Sequence, residues 1–377
     1  MESNLLKYPV QLRLESGEVF SGFSPFEINK SYYGEAVFNT GMVGYTETIT
    51  DPSYLGQIVT FTYPMIGNYG VDDKSTWESD KIQASGVIVS SLCDSPQREF
   101  SQKSLAKWCE ESGVPLIYGI DTRALTKVIR DKGAVSAVIE SAVIESKDNK
   151  SNNNFIDINS QDLVKQVCVN EPKIIKSGKY KVIVVDCGVK QNILRNLCKF
   201  DFEIKLVPYD YNYLQDDFDG LFLSNGPGDP AKCKETIRIL KEAIDSQIKQ
   251  PIFGICLGSQ IMGLAIGSKT FKMSFGHRAQ NHPCLDINTN KCFLTSQNHG
   301  FALDPDTIPK DWDISFKNLN DGSVAGIKNN KLPYASVQFH PEANPGPIDT
   351  AYLFQQFYED VENNAKSKSD TKKNGAK

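Results

Sequence analysis

The sequence predicts an α/β protein. A β-rich, mixed N-terminal domain precedes a C-terminal doubly wound, mostly parallel sheet. Three observations carry this prediction. After Lys181, the run Val182-Ile183-Val184-Val185 is continuously β-branched, as expected of a parallel strand covered on both faces. From Lys179 onward such runs alternate with helical patterns, the order that builds βαβ units. Before residue 145 the apolar residues alternate with period two between closely set glycines, which marks short strands and tight turns.

In chain order, Val10, Leu12 and Leu14 alternate, Gly17-Glu18 signals a turn, and Val19-Phe20 begins the return strand of a hairpin. The glycine- and aromatic-rich stretch 33–45, the runs 50–54 and 57–62 and the cluster 66–70 read as a β scaffold with bulges and turns. Residues 84–90 form a strand and 101–112 a helix with Leu105 and Trp108 on its apolar side. Asp121 is placed to cap a helix in which Leu125, Val128 and Ile129 fall at helical spacing, and 134–139 is another strand. Between 145 and 177 the chain turns polar, with an asparagine-rich, loop-like run at 146–154 and a short helix near 162–167. The domain boundary belongs in this zone: a first domain over 1–145, a linker region over 146–177 and a second domain over 178–362.

Within the second domain, helices are expected at 190–200 and 234–247, with Ile237, Leu240 and Ile244 on one face of the latter. Strands are expected at 203–207, 220–223, 251–255, 292–295, 313–316 and 334–339, with a last helix over 349–361. The tail 363–377 carries five lysines and few apolar residues, and reads as disordered.

Composition narrows the function classes. The 377 residues suit two domains, and the formal net charge of −5 gives no basic surface for nucleic acid or membrane. No apolar run has the length of a membrane span, and the first residues lack a signal-peptide core, so a cytoplasmic location is expected. The nine scattered cysteines suit reduced thiols.

The chemistry centres on Gly254-Ile255-Cys256-Leu257-Gly258, a strand running through a tight turn into a helix. Gly-x-Cys-x-Gly has the spacing of a nucleophile elbow, and the amide of Leu257 can face a developing oxyanion. A lone cysteine at a strand end is ordinarily a packing residue; the flanking glycines and its partners argue otherwise. A cysteine nucleophile needs a base, and the base an orienting group. Of the four histidines, His340 ends a strand and is followed by Pro341 and Glu342, so the carboxylate can reach back to the imidazole. Cys256, His340 and Glu342 therefore form the expected triad. The loop Asn225-Gly226-Pro227-Gly228-Asp229-Pro230, after another strand, can supply a second oxyanion donor, with the Gly228 amide the candidate. His277, His282, Cys284 and Cys292 lack the paired spacing of a zinc site, so no metal is expected.

Taken together, the Cys256 elbow, the loop at 225–230 and the His340-Pro341-Glu342 pair resemble class I (triad) glutamine amidotransferases, whose C-terminal sheet is flavodoxin-like. Gly34-Glu35, Phe38-Asn39-Thr40, Thr50-Asp51-Pro52-Ser53-Tyr54, Thr62-Tyr63-Pro64, Gly67-Asn68, Gly119-Ile120-Asp121-Thr122-Arg123 and Ser296-Gln297-Asn298-His299-Gly300-Phe301 narrow the resemblance to the glutaminase subunit of carbamoyl-phosphate synthetase. The wording of Phe61-Thr62-Tyr63-Pro64 and Cys292-Phe293-Leu294-Thr295 is similar to eukaryotic pyrimidine-pathway versions, some fused to the synthetase, and a lysine-rich tail would suit such a junction.

The resemblance implies hydrolysis of glutamine to glutamate and ammonia through a Cys256 thioester. It implies glutamine binding by Ser53, Gly226, Gly228, Leu257, Gln260, Asn298, Gly300 and Phe301. No cofactor is implied for this chain; ATP, magnesium and bicarbonate are used by the synthetase partner, a large subunit or fused domain that receives the ammonia. Two departures stand out: Ser259, where most relatives have histidine, and a partial match at 276–282. A non-hydrolysing scaffold homologue and another class I amidotransferase are the competing readings.

Overall fold

Two sheets organise the chain. The computed structural model describes residues 7–96, 101–142 and 155–374. Residues 1–6, 97–100, 143–154 (the whole asparagine-rich run expected at 146–154 included) and 375–377 lie outside the described residues. The chain divides into one unit of Met1–Gln161 with Ser274–Ala279 and a second of Asp162–Met273 with Gln280–Lys377.

The first unit holds a seven-stranded sheet in the order Val19–Ser24, Tyr8–Leu14, Val135–Ser141, Tyr32–Asn39, Gln57–Phe61, Gly86–Ile88, Leu116–Ile117. Its first three junctions are antiparallel and its last three parallel. Period two sorts the side chains: Ala36, Ile58, Ile88 and Ile117 face one core with Leu125 and Ile129, while Val37, Val59, Val87 and Leu116 face another with Leu105 and Trp108. The helix expected from Ser101 begins at Leu105, because Ser104 accepts the Lys107 N–H at 3.2 Å, and it ends at Gly113 in the left-handed conformation. Asp121 caps the helix Thr122–Lys132 through the Ala124 N–H at 2.8 Å.

The second unit holds a ten-stranded sheet in the order Lys173–Lys176, Phe202–Pro208, Tyr180–Asp186, Gly220–Leu223, Ile252–Ile255, Tyr334–Val337, Val324–Asn329, Trp312–Asn318, Thr270–Asp286, Lys291–Leu303. From Phe202–Pro208 to Tyr334–Val337 the strands are parallel. Ile183, Val185, Leu221, Leu223 and Ile252 pack on one face with Ile239, Leu240, Ile261 and Met262 of two helices, Lys234–Asp245 and Leu257–Ala265. Val182, Val184, Phe222, Phe253 and Ile255 pack on the other with Ile193, Leu197, Phe354, Phe357 and Val361 of Gln191–Leu197 and Tyr352–Asn374. The continuous β-branched run thus fills two cores at once.

Three expectations change. The described part of the linker zone, from residue 155, is structured: Asn159 Nδ2 donates to Glu35 Oε1 at 3.0 Å in the first unit, and Lys173–Lys176 pairs antiparallel with Phe202–Pro208 in the second. The helix expected near 162–167 is the single 3-10 turn Val164–Gln166. The tail expected to be disordered from 363 continues the last helix, Tyr352–Asn374. Ala365 packs against the core, and Lys366 Nζ lies 2.9 Å from Glu362 Oε2 one turn earlier, so the helix has support that lysine content alone hides.

Candidate functional site

The site begins with a backbone conflict. Ile252–Ile255 runs parallel between Gly220–Leu223 and Tyr334–Val337, and the Cys256 N–H completes the pairing by donating to Val337 O at 2.8 Å. The helix Leu257–Ala265 must start at the next residue. Cys256 absorbs the reversal at φ 53° and ψ −104°, a conformation that an L residue rarely adopts. A Cβ on Gly258 would lie 2.5 Å from Leu223 O, and one on Gly254 would lie 2.8 Å from the Gly258 carbonyl carbon. Glycine on each side of the cysteine is therefore a requirement of close approach.

His340 is fixed by its backbone N–H, which donates to Ser296 O at 2.9 Å. Its Nδ1 lies 2.7 Å from Glu342 Oε1. A carboxylate only accepts, so Nδ1 carries the proton and Nε2 is the working nitrogen. Lys190 Nζ lies 3.0 Å from the same carboxylate oxygen and donates to Ala343 O at 2.6 Å. The Lys190 N–H is held by Asn225 Oδ1 at 3.0 Å, and Asn192 Nδ2 donates to Glu342 O at 2.5 Å.

Lysine, glutamate and histidine form a buried charge chain. Burial opposes ionisation of Glu342, but the charges of Lys190 and His340 outweigh it and hold the carboxyl below its ordinary range. Burial likewise disfavours the imidazolium; the charges of Glu342 and Cys256 prevail and hold the ring above its ordinary value. Nε2 of His340 is buried with no formed hydrogen bond among the described residues.

Amides and carbonyls surround the sulfur. Cys256 Sγ donates to Asn298 O at 3.6 Å, and Gln338 Nε2 approaches Sγ at 3.7 Å. Gln260 Nε2 donates to Phe301 O at 2.8 Å and to Gln338 Oε1 at 3.1 Å. Gly300 lies between the two carbonyls on the strand Lys291–Leu303. Gly226 sits against Leu257: a Cβ there would be 1.9 Å from Cys187 O and 2.8 Å from Leu257 Cδ2. Gly228 has φ 83° and packs by Leu163. Ser53 belongs to the first unit, where its N–H donates to Asp51 Oδ1 at 2.9 Å in the turn Pro52–Tyr54. Ser259 Oγ lies 2.8 Å from Ser336 Oγ, a buried pair.

Sequence reasoning missed Lys190, Asn225 as its anchor, and Gln338. Lys190 follows Cys187-Gly188 at a strand end, the one local signal it offers. Burial pushes the thiols of Cys109 and Cys233 up to about 12 and that of Cys284 to about 11, and raises Cys187 well above its ordinary value. Among the described residues no group of three or more His, Cys, Asp or Glu is placed to hold a metal ion. No helix among them is long and apolar enough to cross a membrane. A thiol, a proton-bearing imidazole and an anchored carboxylate are the equipment of covalent acyl transfer.

Residues 183–360 match the family Glutamine amidotransferase class-I, and residues 12–139 match the Carbamoyl-phosphate synthase small chain, CPSase domain. The chain is 47% identical over 357 residues to Multifunctional protein CAD of Squalus acanthias, covering 92% of this chain and 16% of that protein. It is 43% identical over 361 residues to the Carbamoyl phosphate synthase arginine-specific small chain of Neurospora crassa, covering 93% of this chain and 79% of that one. The counterpart in Debaryomyces hansenii is 44% identical over 367 residues, with coverage of 93% and 85%. The chain thus spans 16–17% of the multifunctional relatives and most of the separate small chains.

Proposed function

Because the chain belongs to the carbamoyl-phosphate synthase small-chain family and carries its class I glutamine amidotransferase domain, we propose that it hydrolyses glutamine at Cys256 and supplies ammonia to a carbamoyl-phosphate synthetase. The carrying observation is the strained Cys256 elbow with a buried His340–Glu342 pair bonded at 2.7 Å. Cys256 passes its thiol proton to His340 Nε2, and the sulfur attacks the side-chain amide carbon of glutamine. The tetrahedral oxyanion is met by the amides of Leu257 and Gly228. The C–N bond breaks, His340 gives its Nε2 proton to the leaving ammonia, and a γ-glutamyl thioester remains. Water then adds as His340 takes its proton; the C–S bond breaks and glutamate leaves. Glu342 orients the imidazole and balances its charge.

Gln260, Asn298, Gly300, Phe301 and Gly226, all of the second unit, bind the substrate's polar groups in this reading. The partner is a synthetase large subunit or fused domain that uses ATP, magnesium and bicarbonate. Fused relatives and separate arginine-specific small chains are similarly close, so the proposal rests on the glutaminase step common to both. Nine unpaired cysteines suit a reducing compartment and support a cytoplasmic location.

The test is labelling of the purified chain, with and without its synthetase, by a diazoketone analogue of glutamine. Peptide mass spectrometry should find Cys256 modified selectively and protected by excess glutamine. A Cys256 as inert as the buried thiols, even with the synthetase present, would reject hydrolysis.

A further inference from the structure

Gln338 has no part in the triad, yet its side chain touches the reacting atom. It is buried, follows the strand Tyr334–Val337 directly, and its backbone N–H donates to Ala325 O at 2.9 Å. The orientation of its amide follows from a backbone carbonyl. Phe301 O can only accept, so the Gln260 atom 2.8 Å away is the NH2 group. The same NH2 lies 3.1 Å from Gln338, so the Gln338 atom it meets is the oxygen. The other end of the Gln338 amide, 3.7 Å from Cys256 Sγ, is therefore the NH2. A carbonyl locks two amides in series, and the second presents a donor to sulfur.

Sulfur meets two kinds of neighbour. As a thiol it donates to Asn298 O at 3.6 Å; as an anion it is repelled by that oxygen and attracted by the Gln338 N–H. We propose that Gln338 is a further catalytic residue, one that donates an N–H to the Cys256 sulfur whenever that sulfur carries negative charge. The proposal rests on the glutaminase reading above. Gln338 transfers no proton. It stabilises the sulfur as it attacks the amide carbon, and again when the C–S bond of the thioester breaks and the electron pair returns to sulfur. In that second step His340 is occupied with the proton of water, so the fixed amide is the donor at hand.

Two variants separate this role from packing. Gln338→Glu keeps the shape and the bond from Gln260 but turns an oxygen toward sulfur. Gln338→Met keeps the volume and offers no donor. Both should slow alkylation of Cys256 by iodoacetamide and lower kcat roughly tenfold or more, the scale of a hydrogen bond to a charged group, with KM for glutamine little changed. At alkaline pH, where the new carboxylate is ionised, Glu should fall below Met; a packing role gives the opposite order. A Glu variant as reactive as the unaltered chain, or better than Met, overturns the proposal. Alkylation of Cys256 in the unaltered chain should also shift the Gln338 side-chain amide resonances, and unmoved resonances overturn it without any variant. If the unaltered chain fails to react with the diazoketone, the glutaminase reading itself fails. If it reacts and the variants match it, Gln338 alone is wrongly assigned.

Discussion

Lys190→Met tests the charge chain behind the imidazole. Lys190 Nζ lies 3.0 Å from Glu342 Oε1, with the two side chains 4% and 0% exposed. Methionine keeps most of the volume and removes the charge, leaving a buried carboxylate whose remaining partner is His340. Removing one member of a buried ion pair costs about 3–5 kcal/mol. The bond from Nζ to Ala343 O is lost as well, next to Ala343 and Asn344 at φ 56° and 55°. Any share of the loss that reaches the imidazole lowers kcat, at about tenfold for each 1.4 kcal/mol. The assay is a cycle of Lys190→Met, Glu342→Gln and the double variant, read by urea denaturation and glutaminase kcat. Each single variant takes one ionic partner from a buried charge and the double removes both charges, so the double should lose less than the sum by about 1–3 kcal/mol. Losses that add within about 0.5 kcal/mol would refute the coupling.

Gly258→Ala places a Cβ 2.5 Å from Leu223 O; we expect about 1–3 kcal/mol of destabilisation and loss of Cys256 labelling, read by thermal melting and mass spectrometry. Glu342 has its folded pKa lowered from 4.5, so its stabilisation is full above that value and fades as pH falls through the lower folded value; Glu342→Gln should flatten this acid limb in melting experiments. His340 has its folded pKa raised from 6.5, so its contribution is full below that value and is lost as pH rises through the higher one; His340→Asn should remove the alkaline decline. Phe357→Ala, within the core under the elbow strand, should cost about 3–5 kcal/mol by denaturation.

The elbow was legible because its requirements are local: a glycine two residues either side of a nucleophile states the turn in five residues. His340-Pro341-Glu342 was legible for the same reason. The parallel sheet could be read from Val182–Val185, since burial on both faces removes the alternation that marks other strands. Lys190 was not legible, because its meaning depends on Glu342, 152 positions later, and on the register of strands that bring the two together. Gln338 shares its strand end with His340 and gives no periodic sign of facing sulfur. Of the long strands Thr270–Asp286 and Lys291–Leu303 only the run 292–295 is readable, since polar residues such as Arg278, Gln280 and Asn281 interrupt the alternation. In the sequence the final helix reads as ending at 361, because exposed lysines look alike on a helix and in a coil, and the Glu362–Lys366 pair is too weak a signal to decide.

The Cys256 amide donates to Val337, and the cysteine therefore waits on a strand made 78 residues after it. During synthesis, the strand Ile252–Ile255 can find Gly220–Leu223 early, yet its other edge stays open until Tyr334–Val337 leaves the ribosome. The base, its carboxylate and the amide at Gln338 all arrive with that same segment. Contacts this distant in sequence form late in folding. A nascent or truncated chain therefore carries Cys256 without His340, Glu342 and Gln338, and under the proposed function it releases no ammonia before the second unit has closed its sheet.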